Sequence, residues 1–397
     1  MSLISRHEPI TIPDYSLTGD LLSYLRCGLQ YRYINGSALP PARPVQLWFG
    51  EFIHGVMEMA FTMWKAKQYP LPWKYTEIDW DKRETGIGLS ENDIGEIGRR
   101  IESSLAVQGK IPRNKAARLT AYERAAAAVN LIGPDLFPLV EFAEEPLSGS
   151  RLLPDSALTL RAERYGLTGV VDVLTHISLG KVDEKNHIRH AVEKALKSQG
   201  LEVPEEFEVV VDYKGSARPP IGHTRADYWQ QHDWQVQTYA WLRSRRPEAL
   251  PVVAGVILYV NELLPNGGDI HKLKAQINKG STDVTPSPGS KDFHVLNVWK
   301  DTVHAGDILS EEFRIERAIR VIPVTEESIK TACEEFDNIV LEIETKITTE
   351  INVGDVSKVW TPHCNDGETC SACDFRYSCA KPFGAPDGYV PEPPRAP

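Results

Sequence analysis

Phe207-Glu208-Val209-Val210-Val211-Asp212-Tyr213-Lys214-Gly215 runs from a block of β-branched residues straight into an acid and a lysine. The valines predict a buried strand. Residues two apart on a strand share a face, so Asp212 and Lys214 aim at the same side. A carboxylate and an ammonium on an apolar strand are costly unless something binds them. A divalent metal and a phosphate are the obvious partners. The polar end of an ordinary strand is the bland alternative.

Upstream, residues 161–175 read RAERYGLTGVVDVLT. Leu158–Arg164 and Thr168–Leu174 look like two strands with a turn at Gly166, a hairpin pattern. Asp172 falls inside the second apolar run. It is either a hydrogen-bonded core residue or, with Asp212 on an adjacent strand, part of the oxygen ligand set that magnesium or manganese prefers. His54 lies in residues 48–55, WFGEFIHG, on an apolar helix that continues through Met57, Met59, Phe61 and Trp64. Gly50 and His54 are four apart and share a face; the small residue would let the helix approach a neighbour while the imidazole reaches inward. A satisfied core histidine is the competing account. Gln235 and Tyr239, also four apart, fall on a predicted helix, Ala226–Arg243, and could orient phosphate or water.

Taken together these pieces resemble the RecB-like branch of the PD-(D/E)XK nuclease superfamily. The order G-x-x-x-H, G-V-V-D, D-Y-K, Q-x-x-x-Y is met by Gly50 with His54, Asp172, Asp212 with Lys214, and Gln235 with Tyr239. The likeness spans residues 16–262 and the C-terminal end. It implies an α/β fold: a central mixed β-sheet flanked by helices, restriction-endonuclease-like, with large helical insertions. It also implies a Mg/Mn-dependent deoxyribonuclease in which His54, Asp172, Asp212 and the Tyr213 carbonyl hold the ion. Lys214 would position water or stabilise the transition state, and Gln235 and Tyr239 would fix substrate or water.

The cysteines extend the likeness. Cys370, Cys373 and Cys379 form a compact group, and Cys27 lies far upstream in a predicted helix over residues 17–34. This is similar to the iron–sulfur nucleases, which include the AddB nuclease domain and CRISPR-associated adaptation nucleases. The resemblance implies a 4Fe-4S cluster on Cys27, Cys370, Cys373 and Cys379, with cysteine as the natural ligand. The rival is zinc on Cys364, Cys370, Cys373 and Cys379, with His363 as a further candidate. Disulfides fit poorly with an intracellular protein.

At 397 residues, 42% hydrophobic and 25% charged, the chain has the composition of an ordinary globular protein. No apolar run approaches the roughly 20 residues needed to span a membrane, and the N-terminus lacks an apolar signal core. A soluble cytoplasmic protein is expected. The net charge of −11 is unusual for a nucleic-acid binder, so a basic groove must be local or a partner must complete the DNA path. There is no Walker motif or dinucleotide fingerprint, which argues against a helicase activity of its own. Expected partners are DNA, single-stranded or ends, and a helicase or other complex subunits. The alternative is a catalytically idle DNA-binding scaffold subunit.

Five segments follow. Residues 1–65 carry the cluster helix and the His54 helix, which begins near residues 45–47 after Pro40, Pro41 and Pro44. Residues 66–150 form a helical insertion, with a helix over Ala116–Ile132 whose Lys115, Arg118 and Arg124 mark a solvated or DNA-facing side. Residues 151–262 hold the catalytic core, including a helix at His190–Ser198 and a strand at Val252–Val260. Residues 263–325 begin with a long exposed loop or lid, 263–293, followed by a short strand, Arg314–Val324. Residues 326–397 carry a helix over Glu326–Thr349 with Cys333 buried, the cysteine group, and a flexible tail. Trp48, Trp229 and Trp234 are candidates for base stacking or core packing.

Overall fold

The FEVVVDYK stretch becomes an interior strand, Glu206–Lys214 (β4 in chain order), with Phe207, Val209, Val210 and Val211 fully buried. The computed structural model describes residues 12–35, 45–78, 88–154, 163–221, 226–299, 308–364, 367–371, 373–386 and 388–390. β4 pairs antiparallel with Arg164–Ser178 (β3) and parallel with Val252–Tyr259 (β5). Val140–Leu152 (β2) pairs antiparallel with β3, and Ile319–Pro323 (β6) pairs antiparallel with β5. Short Asp14–Ser16 (β1) runs parallel to β3 at Gly166–Thr168. The chain is therefore an α/β protein built on a six-stranded mixed sheet flanked by helices.

Two ladders share one edge of β3. β1 covers Gly166–Thr168 and β4 covers Val173–Ser178, while β2 lies along the opposite edge. Past Val211, β4 leaves β3 and stays paired only with β5, Asp212 facing Ile257 and Lys214 facing Tyr259. The sheet thus forks at Asp172 and Asp212.

Strand alternation sends Val209 and Val211 to one face and Val210 to the other. On the first face they meet Val45–Lys67 (α3), Ile94–Val107 (α4) and Lys115–Leu131 (α5), through Phe52, Ile53, Met57 and Val129. On the second, Val210, Val171 and Leu174 meet Ala226–Arg243 (α8) and Glu326–Val353 (α13), through Tyr239, Leu242, Phe336 and Val340. Parallel neighbours need a long crossover; α8 supplies it between β4 and β5.

α13 also ties both ends of the chain together. Its Glu344 accepts from Tyr15 Oη, its Glu342 accepts from Tyr24 Oη at 2.9 Å, and its Glu350 accepts from Arg32 Nε at 2.6 Å. Asp337, on the same helix, accepts from Arg151 Nε at 2.8 Å and from Tyr165 Oη at 2.7 Å.

Several local expectations are revised. Gly166 is no turn: it lies within β3, opposite Ser150. The hairpin is made by β2 and β3, and most of Leu158–Arg164 falls outside the described residues. β2 occupies the end of the stretch read as a helical insertion. Cys27 does not sit inside a helix. It is an extended residue between Leu22–Arg26 (α1) and Gly28–Asn35 (α2). Residues 263–293 are not one loop, since they hold Gly267–Lys279 (α10) and the start of Lys291–Val298 (α11). Their Asn and Ser are helix caps: Asn266 forms a capping box with Asp269, and Ser290 accepts from Phe293 N–H. The strand expected over Arg314–Val324 is only half strand: residues 314–318 end the helix Glu311–Ala318 (α12), and β6 follows at Ile319–Pro323.

Candidate active site and cysteine clasp

At the fork, Asp212 is buried and its Oδ2 lies 2.6 Å from Lys214 Nζ. Lys214 Nζ also donates to Gln235 Oε1 at 3.1 Å. Gln235 Nε2 in turn donates to Asp212 Oδ1 at 3.2 Å and approaches Tyr239 Oη at 3.4 Å. One amide therefore spans the acid, the amine and the phenol. On the other strand, Asp172 Oδ2 accepts the Tyr213 backbone N–H at 3.0 Å.

α3 brings His54 over the same fork. Its Nε2 lies 3.0 Å from the Tyr213 carbonyl and its Nδ1 lies 3.4 Å from Asp172 Oδ2. A carbonyl only accepts, so Nε2 carries the hydrogen. In the neutral ring this leaves the Nδ1 lone pair toward Asp172. An imidazole anchored through its far N–H to a backbone carbonyl is the usual arrangement of a metal-ligating histidine. His54 and Asp172 thus offer nitrogen and oxygen donors suited to a hard or borderline divalent ion; among the described residues Asp212, engaged by Lys214 and Gln235, forms no close ligand trio with them.

Burial, followed by the neighbouring Asp212, pushes the Asp172 carboxyl above the ordinary carboxylate range; His54, the Tyr213 N–H and Lys214 oppose that shift. His232, one turn before Gln235, is driven down to about 3 by burial and then by Lys214, so it is neutral. Its Nδ1 lies 3.1 Å from Tyr259 Oη.

Two glycines set this geometry. A Cβ on Gly169, two residues before Val171, would stand 2.8 Å from Tyr239 Cε1. A Cβ on Gly215 would stand 2.7 Å from Phe49 Cδ1. The close approach of the His54 helix is therefore made at Gly215. Gly50, expected to provide it, would carry a Cβ with nothing within 4 Å.

Glu144 was not anticipated. Its carboxylate belongs with His54 and Asp172 to a group whose ligand atoms all lie within 4.8 Å of one another. The only signal was an acidic residue in VEFAEEPL, easily taken for solvated surface.

Other candidates have partners within the fold. Arg124 is buried and held by Asp269 and the Leu264 carbonyl, and Arg118 Nε lies 2.9 Å from Glu102. Trp48 stacks on Phe52, and Trp234 donates to the Ala332 carbonyl. Trp229 carries the Arg320 guanidinium 3.8 Å above its ring.

Cys27 and Cys379 belong to the core on the α13 side of the sheet. Cys27, Cys370 and Cys379 are buried. Burial pushes the Cys373 thiol up to about 11, with Cys27, Cys370 and Cys379 adding to the rise. Cys379 is raised by burial and then by Cys27 and Cys370. Cys27 thus lies in electrostatic reach of the C-terminal thiols. Backbone N–H groups address three of the sulfurs: Phe383 donates to Cys370 Sγ at 3.1 Å, Phe375 to Cys373, and Lys381 to Cys379. Such donors favour thiolate. Among the described residues no three cysteine sulfurs come within 4.8 Å of one another. His363 has both ring nitrogens engaged, Nδ1 with Gly28 N–H at 3.4 Å and Nε2 with the Tyr24 carbonyl at 3.1 Å. Cys364 is half-buried against the α13-side core.

No described helix is long and apolar enough to cross a membrane. No protein-family model and no curated protein matches the chain.

Proposed function

We propose that this chain is a PD-(D/E)XK nuclease of RecB-like type that hydrolyses DNA phosphodiesters with magnesium or manganese, on single strands or ends. The β2–β3–β4–α8–β5 arrangement with α3 is its restriction-endonuclease-like core. One observation carries the proposal. His54, Asp172, Asp212, Lys214, Gln235 and Tyr239, drawn from four separate elements, meet around one fork in the sheet. A purely structural need would have been met by apolar residues at less cost.

When bound, the divalent ion polarises the phosphate and acidifies water. Asp172, Asp212 and His54 Nδ1 would hold it, while the Tyr213 carbonyl, expected as a further oxygen, takes the His54 Nε2 hydrogen and steadies the ring. Lys214, whose ammonium is aimed by Asp212 and Gln235, meets the charge that builds on the phosphate as the water–phosphorus bond forms and the ester P–O bond breaks. Tyr239 props the Gln235 amide and so the direction of Lys214. At the clasp, Cys27, Cys370, Cys373 and Cys379 hold a 4Fe-4S cluster that joins the N-terminal helices to the C-terminal segment. The acidic net charge of −11 favours a partner, such as a helicase subunit, that supplies the basic DNA path.

The test is cleavage of labelled single- and double-stranded DNA with Mn2+, by the chain alone and with candidate partner subunits. Lys214→Ala should lower the rate by about 10²–10³ while Mn2+ still binds. Cleavage undiminished in purified Lys214→Ala and Asp212→Ala would reject the proposal.

A further inference from the structure

Glu144 stands across the β2–β3 ladder from Asp172, since Ala143 pairs with Val173 and Glu145 with Val171. Cross-strand neighbours share a face, so both carboxyls leave the sheet on the side where α3 brings His54. The ligand atoms of His54, Glu144 and Asp172 lie within 4.8 Å of one another. Two ligands on opposite sides of a small divalent ion are about 4 Å apart, so one ion can reach all three with little movement.

The sheet is distorted at this pair. Glu144 holds φ +52°, a conformation that non-glycine residues rarely take. Val171 joins the core on the α8 side while Val173 joins the core on the α3 side, so the alternation of β3 slips across Asp172. An exposed glutamate serving only solubility has no reason to sit against a carboxylate that already faces Asp212, because like charges at this range repel. A cation removes the conflict.

We infer that Glu144 is a ligand of the divalent ion on its solvent side, completing a site of one imidazole and three carboxylates with His54, Asp172 and Asp212. The inference rests on the metal-site reading above. Such a donor set takes manganese as readily as magnesium, since imidazole is a softer donor than oxygen.

The test is Mn2+ titration of the full chain without DNA, followed by calorimetry, with melting curves to check folding. E144Q, at an exposed position, should keep the fold and weaken Mn2+ binding by about tenfold or more. E144D should bind more tightly than E144Q, and E145Q should bind like the native chain. If E144Q binds Mn2+ with native affinity while D172N has lost it, Glu144 is no ligand and the ion site stands without it. If E145Q loses as much as E144Q, the effect is general charge and the inference also fails. If the native chain binds no Mn2+, the site itself is wrong, and the nuclease proposal falls with it.

Discussion

Tyr213 gives its backbone N–H to the side chain of Asp172 across 3.0 Å, in place of a carbonyl on the neighbouring strand. The acid therefore has two duties, closing the ladder where β4 leaves β3 and facing His54. The two can be separated. Asp172→Asn keeps an acceptor for Tyr213, whereas Asp172→Ala leaves that N–H buried and unpaired, at a cost of about 1–3 kcal/mol. In urea titrations the Ala variant should be less stable than the Asn variant by that amount. Both should be inactive.

The raised pKa of Asp172 has a sign that can be read. In protein stripped of cations, the folded state keeps this proton to higher pH than the unfolded chain does. The stability it contributes is present in acid and is lost as pH rises from the ordinary carboxylate range through the raised value. Melting temperatures in EDTA from about pH 4 to about pH 8 should fall more steeply for the native chain than for Asp172→Asn. Added Mn2+ should reverse the difference, because the ion takes the deprotonated carboxyl.

Cys27→Ala separates the sulfur models. With a 4Fe-4S cluster on Cys27 and the C-terminal thiols, anaerobically purified Cys27→Ala should lose iron and visible absorbance and melt lower. Cys364→Ala should keep both. The reverse pattern, or stoichiometric zinc in colourless protein, points to the local zinc set.

Glycine substitutions probe the docking of the site helices. Gly169→Ala drives a methyl into Tyr239 and should cost about 1–3 kcal/mol, with a loss of cleavage as the Gln235–Tyr239 pair shifts. Gly50→Ala meets open space within α3 and should be neutral or stabilising by up to about 1 kcal/mol. Thermal melts decide both.

What the sequence made legible follows from how each element is stabilised. β4 and β5 are buried on both faces, so they appear as unbroken apolar runs. α8 spans Ala226–Arg243 as its pattern suggests. β2 was hidden because eleven of its thirteen residues are not fully buried, so its polar side chains resemble a surface loop. α10 and α11 were hidden because their Asn, Ser and Gly serve as caps and were weighed as loop composition. The break at Cys27 leaves no trace in composition. Asp172, Asp212, Lys214 and Gln235 could be singled out only because the order of their short motifs resembles that of a known nuclease branch. Glu144 could not, since only strand register brings it beside Asp172.

The ties along α13 bear on how the chain comes to its final form. Tyr15 and Glu344 are 329 positions apart, and Leu17, Leu21, Tyr24 and Tyr31 share one core with Phe336, Val340 and Trp360. The N-terminal helices are thus synthesised first and covered last. Contacts so distant slow folding, and until α13 emerges from the ribosome those side chains stay open to chaperones and to aggregation.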